Sequence, residues 1–150
     1  MLIYIALGGN FPNTRALFDL AIEEMKTWGK NFECSSFYVT KAVSDIEQAD
    51  YINGCVRFWT DLLPLELFRK MEALERKLGK VPKEKNRPRP IDLDLIFYGD
   101  EAFELDGLIV PHPRFHEREF VLMPLLDLTE EVGKYQIGEL LNEVRRSRKN

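Results

Sequence analysis

The chain has 150 residues, 45% hydrophobic and 31% charged, enough to bury one sizeable core, and it is expected to form a single domain over residues 1–150. A net charge of -4 and a pI near 5.3 exclude a general attraction to nucleic acid or to anionic membrane surfaces, so any basic cluster must be local. The two cysteines, Cys34 and Cys55, have neither CxxC nor metal-ligand spacing and read as small core residues rather than a disulfide or redox pair. With no basic leader and no apolar run of about 18 residues, a soluble cytoplasmic protein without a membrane partner is the expectation.

"LIYIAL", residues 2–7, is short, apolar and rich in strand formers, and "GGN" stops it, which predicts a buried strand ending in a turn. Across residues 14–28, Leu17, Leu20, Ala21 and Trp28 share a helical face, with Asn13 or Thr14 as cap and Gly29 as terminator. Residues 32–40 and 53–60 read as two further strands, joined by a polar stretch long enough to suggest a role. A second helix is predicted over residues 64–78, where Leu67, Phe68, Met71, Leu74 and Leu78 recur with helical spacing, proline opens the first turn and Gly79 follows the end. Residues 79–90, "GKVPKEKNRPRP", have no apolar period and three prolines, so an exposed, mobile loop is expected. A strand from Ile91 follows. A turn near "GLIVPHP", a helix over residues 117–126 that Pro124 would kink, and an amphipathic stretch over 139–146 complete the chain. The order β-α-β-β-α-β predicts an α+β fold of ferredoxin-like type, one sheet with two helices on one face plus a short C-terminal helical extension.

"PIDLDLIF" places two acids in an otherwise apolar strand. Alternation sends Ile91, Leu93, Leu95 and Phe97 to one face and Asp92 and Asp94 to the other, with the two carboxylates about 6.5 Å apart along the strand. Such a pair suits a hard cation such as Mg²⁺, although alternating polar residues are also ordinary on the wet face of an antiparallel sheet. The preceding loop favours the first reading: it carries Lys80, Lys83, Lys85, Arg87 and Arg89 against Glu84 alone, in a chain of net charge -4. A cation-rich loop feeding into paired acids can hold a metal-bound polyphosphate, with arginine forks and lysine ammonium groups meeting the charge that develops as a phosphoryl group moves. There is no GxxxxGK[ST], no GxGxxG, and none of the kinase motifs, so ATP would be held by another design.

Five stretches in order, "YIALGGN", "SSFYVT" followed by "DYING", "LERKLGK", "RPRPIDLDLIFYG" and "VPHPRFHEREFVLMPL", resemble the 6-hydroxymethyl-7,8-dihydropterin pyrophosphokinase family over about residues 2–128. The resemblance implies transfer of the β,γ-diphosphate of ATP to the hydroxymethyl oxygen of the pterin, with release of AMP. It implies two Mg²⁺ ions on Asp92 and Asp94. Arg89 and Arg118 would act at the phosphates, with Glu75 and His112 completing the ATP site. From the basic loop, Lys80 is expected at the phosphates as well, and Arg87 is expected at the ATP to compensate for a loop arginine that this chain lacks. The pterin would lie between Tyr51 and Phe120, with Asn53 reading its polar edge and the segment from Thr40 to Val43 giving backbone contacts. A flat heterocycle suits two aromatic faces, and an asparagine offers it both a donor and an acceptor. The chain departs from the family where Lys80, Val81 and Pro82 stand in a G-R-x-R position, since lysine keeps the charge but not the bidentate fork. Gly9 replaces a common serine and Lys41 a common proline.

The expected partners are ATP and the pterin, with a monomer and no nucleic acid. Rival readings are a Mg²⁺-dependent phosphohydrolase and a catalytically slow relative that binds pterin or nucleotide. An RNA-binding module of the same topology is a further rival, but "NGCVRFWT" lacks the base-stacking aromatic run.

Overall fold

A computed structural model describes residues 1–40, 50–80 and 89–148. Strand β1 (Leu2–Gly9) is buried without interruption from Ile3 to Leu7 because both of its faces are covered. It lies between β4 (Tyr51–Trp59) and β5 (Asp92–Tyr98), antiparallel to both. On the far side of β4 lie β2 (Lys30–Cys34) and β3 (Tyr38–Thr40), again antiparallel. The sheet order is β2-β4-β1-β5, with β3 also on β4.

Side chains of β1 alternate between two cores. Ile3, Ile5 and Leu7 pack with Phe18, Ala21 and Met25 of α1 (Thr14–Met25) and with Leu67, Met71 and Leu74 of α2 (Pro64–Lys77). Tyr4 and Ala6 face Val121, Leu122 and Leu125 of α3 (Glu119–Leu128) and Ile137 and Leu141 of α4 (Ile137–Ser147). The two remaining strand pairs are small hairpins, β6 (Phe103–Leu105) with β7 (Leu108–Val110), and β8 (Glu131–Val132) with β9 (Tyr135–Gln136). The architecture is an α+β fold with an antiparallel sheet.

Several sequence expectations are corrected. Leu20 is 57% exposed, and Phe18 and Met25 take its place in the buried stripe. Helix α1 ends at Met25, a 3₁₀ turn carries residues 26–28 to Gly29, and Asn13 makes no capping side-chain bond. The strand expected over residues 32–40 is broken in two, because residues 35–37 span only Gly54 and Cys55 of β4. Cys34 therefore sits exposed on the outer strand, whereas Cys55 is buried; both are free thiols. Phe97 lies on the face opposite Leu93 and Leu95: β1 pairs Tyr4 with Phe97 but Ile5 with Leu95, so Ile96 is an extra residue and the alternation slips. "GLIVPHP" enters β7, whose Leu108 and Val110 join the core, rather than forming a turn.

Where β1 ends, the chain comes close to the segment that starts β5. A Cβ on Gly9 would stand 2.5 Å from the carbonyl oxygen of Pro90 and 2.8 Å from Thr14 Cγ2. Gly9→Ala should therefore cost about 1–3 kcal/mol in urea unfolding through overpacking. By contrast a Cβ on Gly138, inside α4, meets nothing within 4 Å, so Gly138→Ala should stabilise by about 0.5–1 kcal/mol in the same measurement.

Candidate functional site

Asp92 and Asp94 open β5 on the face that carries Gly8 and Ala6, their partners in β1. Farther along, α3 and α4 cover that face; at this end both acids are only half-buried. Gly8 also pairs with Asn53 on its other side, so Asn53, Gly8 and Asp92 form one row across three strands. A Cβ on Gly8 would stand 3.0 Å from Asn53 Oδ1. The Asn53 amide oxygen lies over the place a Gly8 side chain would take, so glycine is what lets the amide lean in beside the row.

Two cations meet Asp92. Lys80 Nζ lies 2.7 Å from Oδ1 and Arg89 Nη1 lies 3.3 Å from Oδ2. Lys80 owes its place to the end of α2: Gly79, at φ +102, turns the chain, Lys80 N–H donates to the Glu75 carbonyl at 3.0 Å, and Gly79 N–H donates to that of Arg76 at 3.1 Å. The buried Glu75 carboxylate then takes Lys80 Nζ at 3.0 Å and the Leu93 N–H at 2.7 Å on one oxygen, tying α2 to β5. Burial pushes the Glu75 pKa up against the lowering pull of the Leu93 bond and of Lys80. For Lys80, burial works to lower the pKa, but Asp92 and Glu75 outweigh it and hold the ammonium above its ordinary value.

Arg89 is positioned from the other end of the chain. Its N–H donates to Asn10 Oδ1 at 2.7 Å, and Asn10 N–H donates to its carbonyl at 2.8 Å. Thr14, fully buried, donates its hydroxyl to the Pro90 carbonyl at 2.8 Å and accepts the Phe11 N–H at 2.8 Å. Sequence reasoning took Thr14 only as a possible helix cap, and missed its bond to Pro90 and the role of Asn10. The available signals were an asparagine directly after paired glycines and a polar residue on an apolar helical stripe.

His112 is fixed through its backbone N–H to the Ile96 carbonyl at 3.0 Å, and its Nδ1 accepts the Arg114 N–H at 3.2 Å. That bond assigns the neutral tautomer with Nε2 as donor. Burial lowers the His112 pKa, Asp94 pulls it upward, and Arg118 and Arg114 lower it further. Arg118 occupies the cap of α3, with its guanidinium 5.9 Å from the centre of the Phe120 ring.

Of the residues expected around the pterin, Thr40 pairs with Tyr51 and Tyr38 with Asn53, which gathers Thr40, Tyr51 and Asn53 on β3 and β4. Tyr51 is half-buried and Asn53 is buried. Phe120 comes from the other layer and is 42% exposed, at the start of a helix that packs on β4. Val43 and Arg87 lie outside the described residues, as do residues 81–88 of the loop expected to be exposed and mobile. The described ends of that loop correct the expectation: Lys80 and Arg89 are half-buried in the site and Pro90 is buried.

Among the described residues no three metal-ligating side chains gather. Two partly exposed carboxylates on one strand face nevertheless fit Mg²⁺, which is commonly held by one or two carboxylates, with water and phosphate oxygens filling the shell. The arrangement combines paired acids, a cationic rim and an amide and two aromatics nearby, which suits a charged polyphosphate next to a flat polar ring.

The sequence model described as 7,8-dihydro-6-hydroxymethylpterin-pyrophosphokinase matches residues 4–130. The chain is 42% identical over 129 residues to the 2-amino-4-hydroxy-6-hydroxymethyldihydropteridine pyrophosphokinase of Synechocystis sp., over 85% of this chain and 66% of that one. It is 35% identical over 133 residues to the protein of the same name from Bacillus subtilis, over 87% and 80% of the two chains. To the folate synthesis bifunctional protein of Arabidopsis thaliana it is 38% identical over 142 residues, 90% of this chain and 29% of the other. The chain thus spans just under two thirds of the first of these relatives and under a third of the last.

The environment of His112 sets a pH test. Its folded pKa lies below the ordinary 6.5, so folding favours the neutral ring. That contribution to stability is present above pH 6.5 and is lost as the pH falls through the folded value. An NMR titration should place the His112 midpoint below 6.5, and Asp94→Asn, which removes the one upward pull, should move it lower still. A midpoint that rises in Asp94→Asn would mean that the carboxylate does not face the ring.

Proposed function

The chain belongs to the 7,8-dihydro-6-hydroxymethylpterin-pyrophosphokinase family, and from that premise we propose that it transfers diphosphate from ATP to 6-hydroxymethyl-7,8-dihydropterin, giving AMP and the pterin diphosphate for folate biosynthesis. The observation that carries this reading is the row Asn53, Gly8 and Asp92, with the Lys80 and Arg89 cations on the acid. An amide suited to the polar edge of a ring thus lies one strand across from a cluster suited to phosphates, which supports the reading. The strand order and the packing of α1 and α2 in one core support a ferredoxin-like arrangement for the domain.

In this reading the nucleotide lies beside Glu75, Lys80, Arg89, His112 and Arg118, with Arg87 contributing from the loop. Asp92 and Asp94 would hold two Mg²⁺ ions, which supply charge neutralisation at the phosphate oxygens when bound. Lys80 and Arg89 hold Asp92 in the free chain and are the cations at hand for the triphosphate once that carboxylate is otherwise engaged. His112 donates from Nε2, and Arg118 offers a guanidinium fork to phosphate oxygens. Tyr51 and Phe120 clasp the two faces of the pterin, Asn53 pairs with its pyrimidinone edge, and Thr40 and Val43 supply backbone contacts. The pterin hydroxyl attacks the β-phosphorus in line with AMP as leaving group. No side chain of the set is a general base for that hydroxyl, so positioning and fixed charge provide most of the acceleration. A cytoplasmic monomer using only these two small substrates completes the reading.

The test mixes purified protein with Mg²⁺, ATP and 6-hydroxymethyl-7,8-dihydropterin and separates AMP from ADP, with a control lacking pterin. AMP formed only with pterin is the expected result, and Asp92→Asn should lower its rate by about a hundredfold or more while leaving the circular dichroism unchanged. ADP, or turnover without pterin, would replace this reading with the phosphohydrolase. Pterin binding without turnover would replace it with the slow relative.

A further inference from the structure

Helix α3 is tied down at its C-terminal end by polar bonds that take no part in the site described above. Tyr38 Oη donates to Asp127 at 2.9 Å from Oδ1 and 2.8 Å from Oδ2, and the Ser36 N–H donates to Oδ2 at 3.2 Å. Next to it, Arg57 Nη1 donates to the Leu128 carbonyl, while Nε and Nη2 each lie 3.1 Å from the Glu33 carboxylate. Arg57 ties the helix to β4, the inner strand. Asp127 ties it to β3, a three-residue strand whose ladder partner is β4 alone.

The position of that second tie relates it to the pterin slot. Tyr38 pairs with Asn53, and Thr40, two residues on, pairs with Tyr51. Phe120 is seven residues before Asp127, about 10 Å along the same helix axis. The two walls of the slot therefore belong to different layers, one to α3 and the other to β3 and β4. Among the described residues, neither the Tyr51 ring nor the Phe120 ring stacks on another aromatic ring, so ring contacts do not set their separation. A flat heterocycle needs a gap of about 7 Å, twice a carbon contact distance. A helix shift of a fraction of that spoils one face.

We propose that Asp127 is a positioning residue for the pterin: by holding Tyr38 and the Ser36 N–H, its carboxylate sets the spacing between the helix that carries Phe120 and the strands that carry Thr40, Tyr51 and Asn53. This rests on the pterin reading of the preceding subsection. An exposed carboxylate with one such bond would be a minor surface feature. Here one carboxylate takes the phenol of Tyr38, the first residue of β3, and a main-chain N–H from the irregular segment before it, and so it fixes the strand and its approach together.

The experiment titrates 6-hydroxymethyl-7,8-dihydropterin into the full chain in the presence of Mg²⁺ and a non-hydrolysable ATP analogue. It also titrates the analogue alone and records the melting temperature of each variant. Asp127→Ala and Tyr38→Phe should each weaken pterin binding about three- to tenfold, the loss of one or two hydrogen bonds, and leave the affinity for the analogue unchanged. Asp127→Asn keeps an acceptor oxygen and should recover most of the pterin affinity. Variants that lose thermal stability but bind pterin like the parent chain would overturn the proposal, as would parallel weakening of both ligands. If the unmodified chain does not bind pterin at all, the functional reading falls and the positioning role falls with it, an outcome read from that chain alone.

Discussion

Strand β1 is paired on both edges, and its last two residues, Gly8 and Gly9, have no side chains, which lets neighbouring groups close in at that end of the sheet. The candidate site depends on that close approach. Gly9 lets the Pro90 carbonyl and Thr14 approach, which brings the start of β5 against the start of α1. Gly8 leaves room for the Asn53 amide oxygen, and strand spacing puts the Asn53 and Asp92 backbones, one on either side of it, about 10 Å apart. The rest of β1 is anchored in two cores, so the glycine end can carry the candidate site without loosening the fold.

The charges gathered there are not a device for stability. Glu75 and Asp92 face Lys80 and Arg89, and Glu75 is buried enough that its ionised form is disfavoured. Desolvating ions in this way costs much of what pairing returns. What the cluster provides is charge at fixed positions, with each group held by a backbone feature: the turn at Gly79 for Lys80, the Leu93 N–H for Glu75, and Asn10 for Arg89. Groups oriented before a phosphate arrives need not reorganise when its charge moves.

The parts of this arrangement that were legible in the sequence are those set by local periodicity. Two acids at i and i+2 had to share a face, and helix α2 could be read from its leucine spacing and its Pro64 and Gly79 boundaries. Periodicity failed where tertiary pairing overrode it. The extra residue at Ile96 sends Phe97 to the opposite core, the irregular segment at residues 35–37 leaves Cys34 outside, and the buried stripe of α1 runs through Phe18 rather than Leu20. The contacts that Asn10, Thr14 and Asp127 make could not be read from local pattern, because their partners lie 79, 76 and 89 to 91 residues away. Nothing in a single sequence marks contacts of that range. The resemblance to a known family located Glu75, His112 and Phe120, which no local pattern would have singled out.

The site draws on three layers, and each is held there by a different polar bond. The layer of α1 and α2 contributes Lys80 through Glu75, the sheet contributes the acids and Asn53, and the layer of α3 contributes Arg118 and Phe120. Apolar burial decides where the layers lie, but it is non-directional and tolerates small slides. A pterin gap or a phosphate contact is less tolerant, because its geometry must hold to a fraction of an ångström. Directional bonds, from the Leu93 N–H to Glu75 and from the Tyr38 hydroxyl to Asp127, remove that residual freedom. Their contribution to global stability is small compared with that of the two cores, and what they add to non-directional burial is a fixed direction.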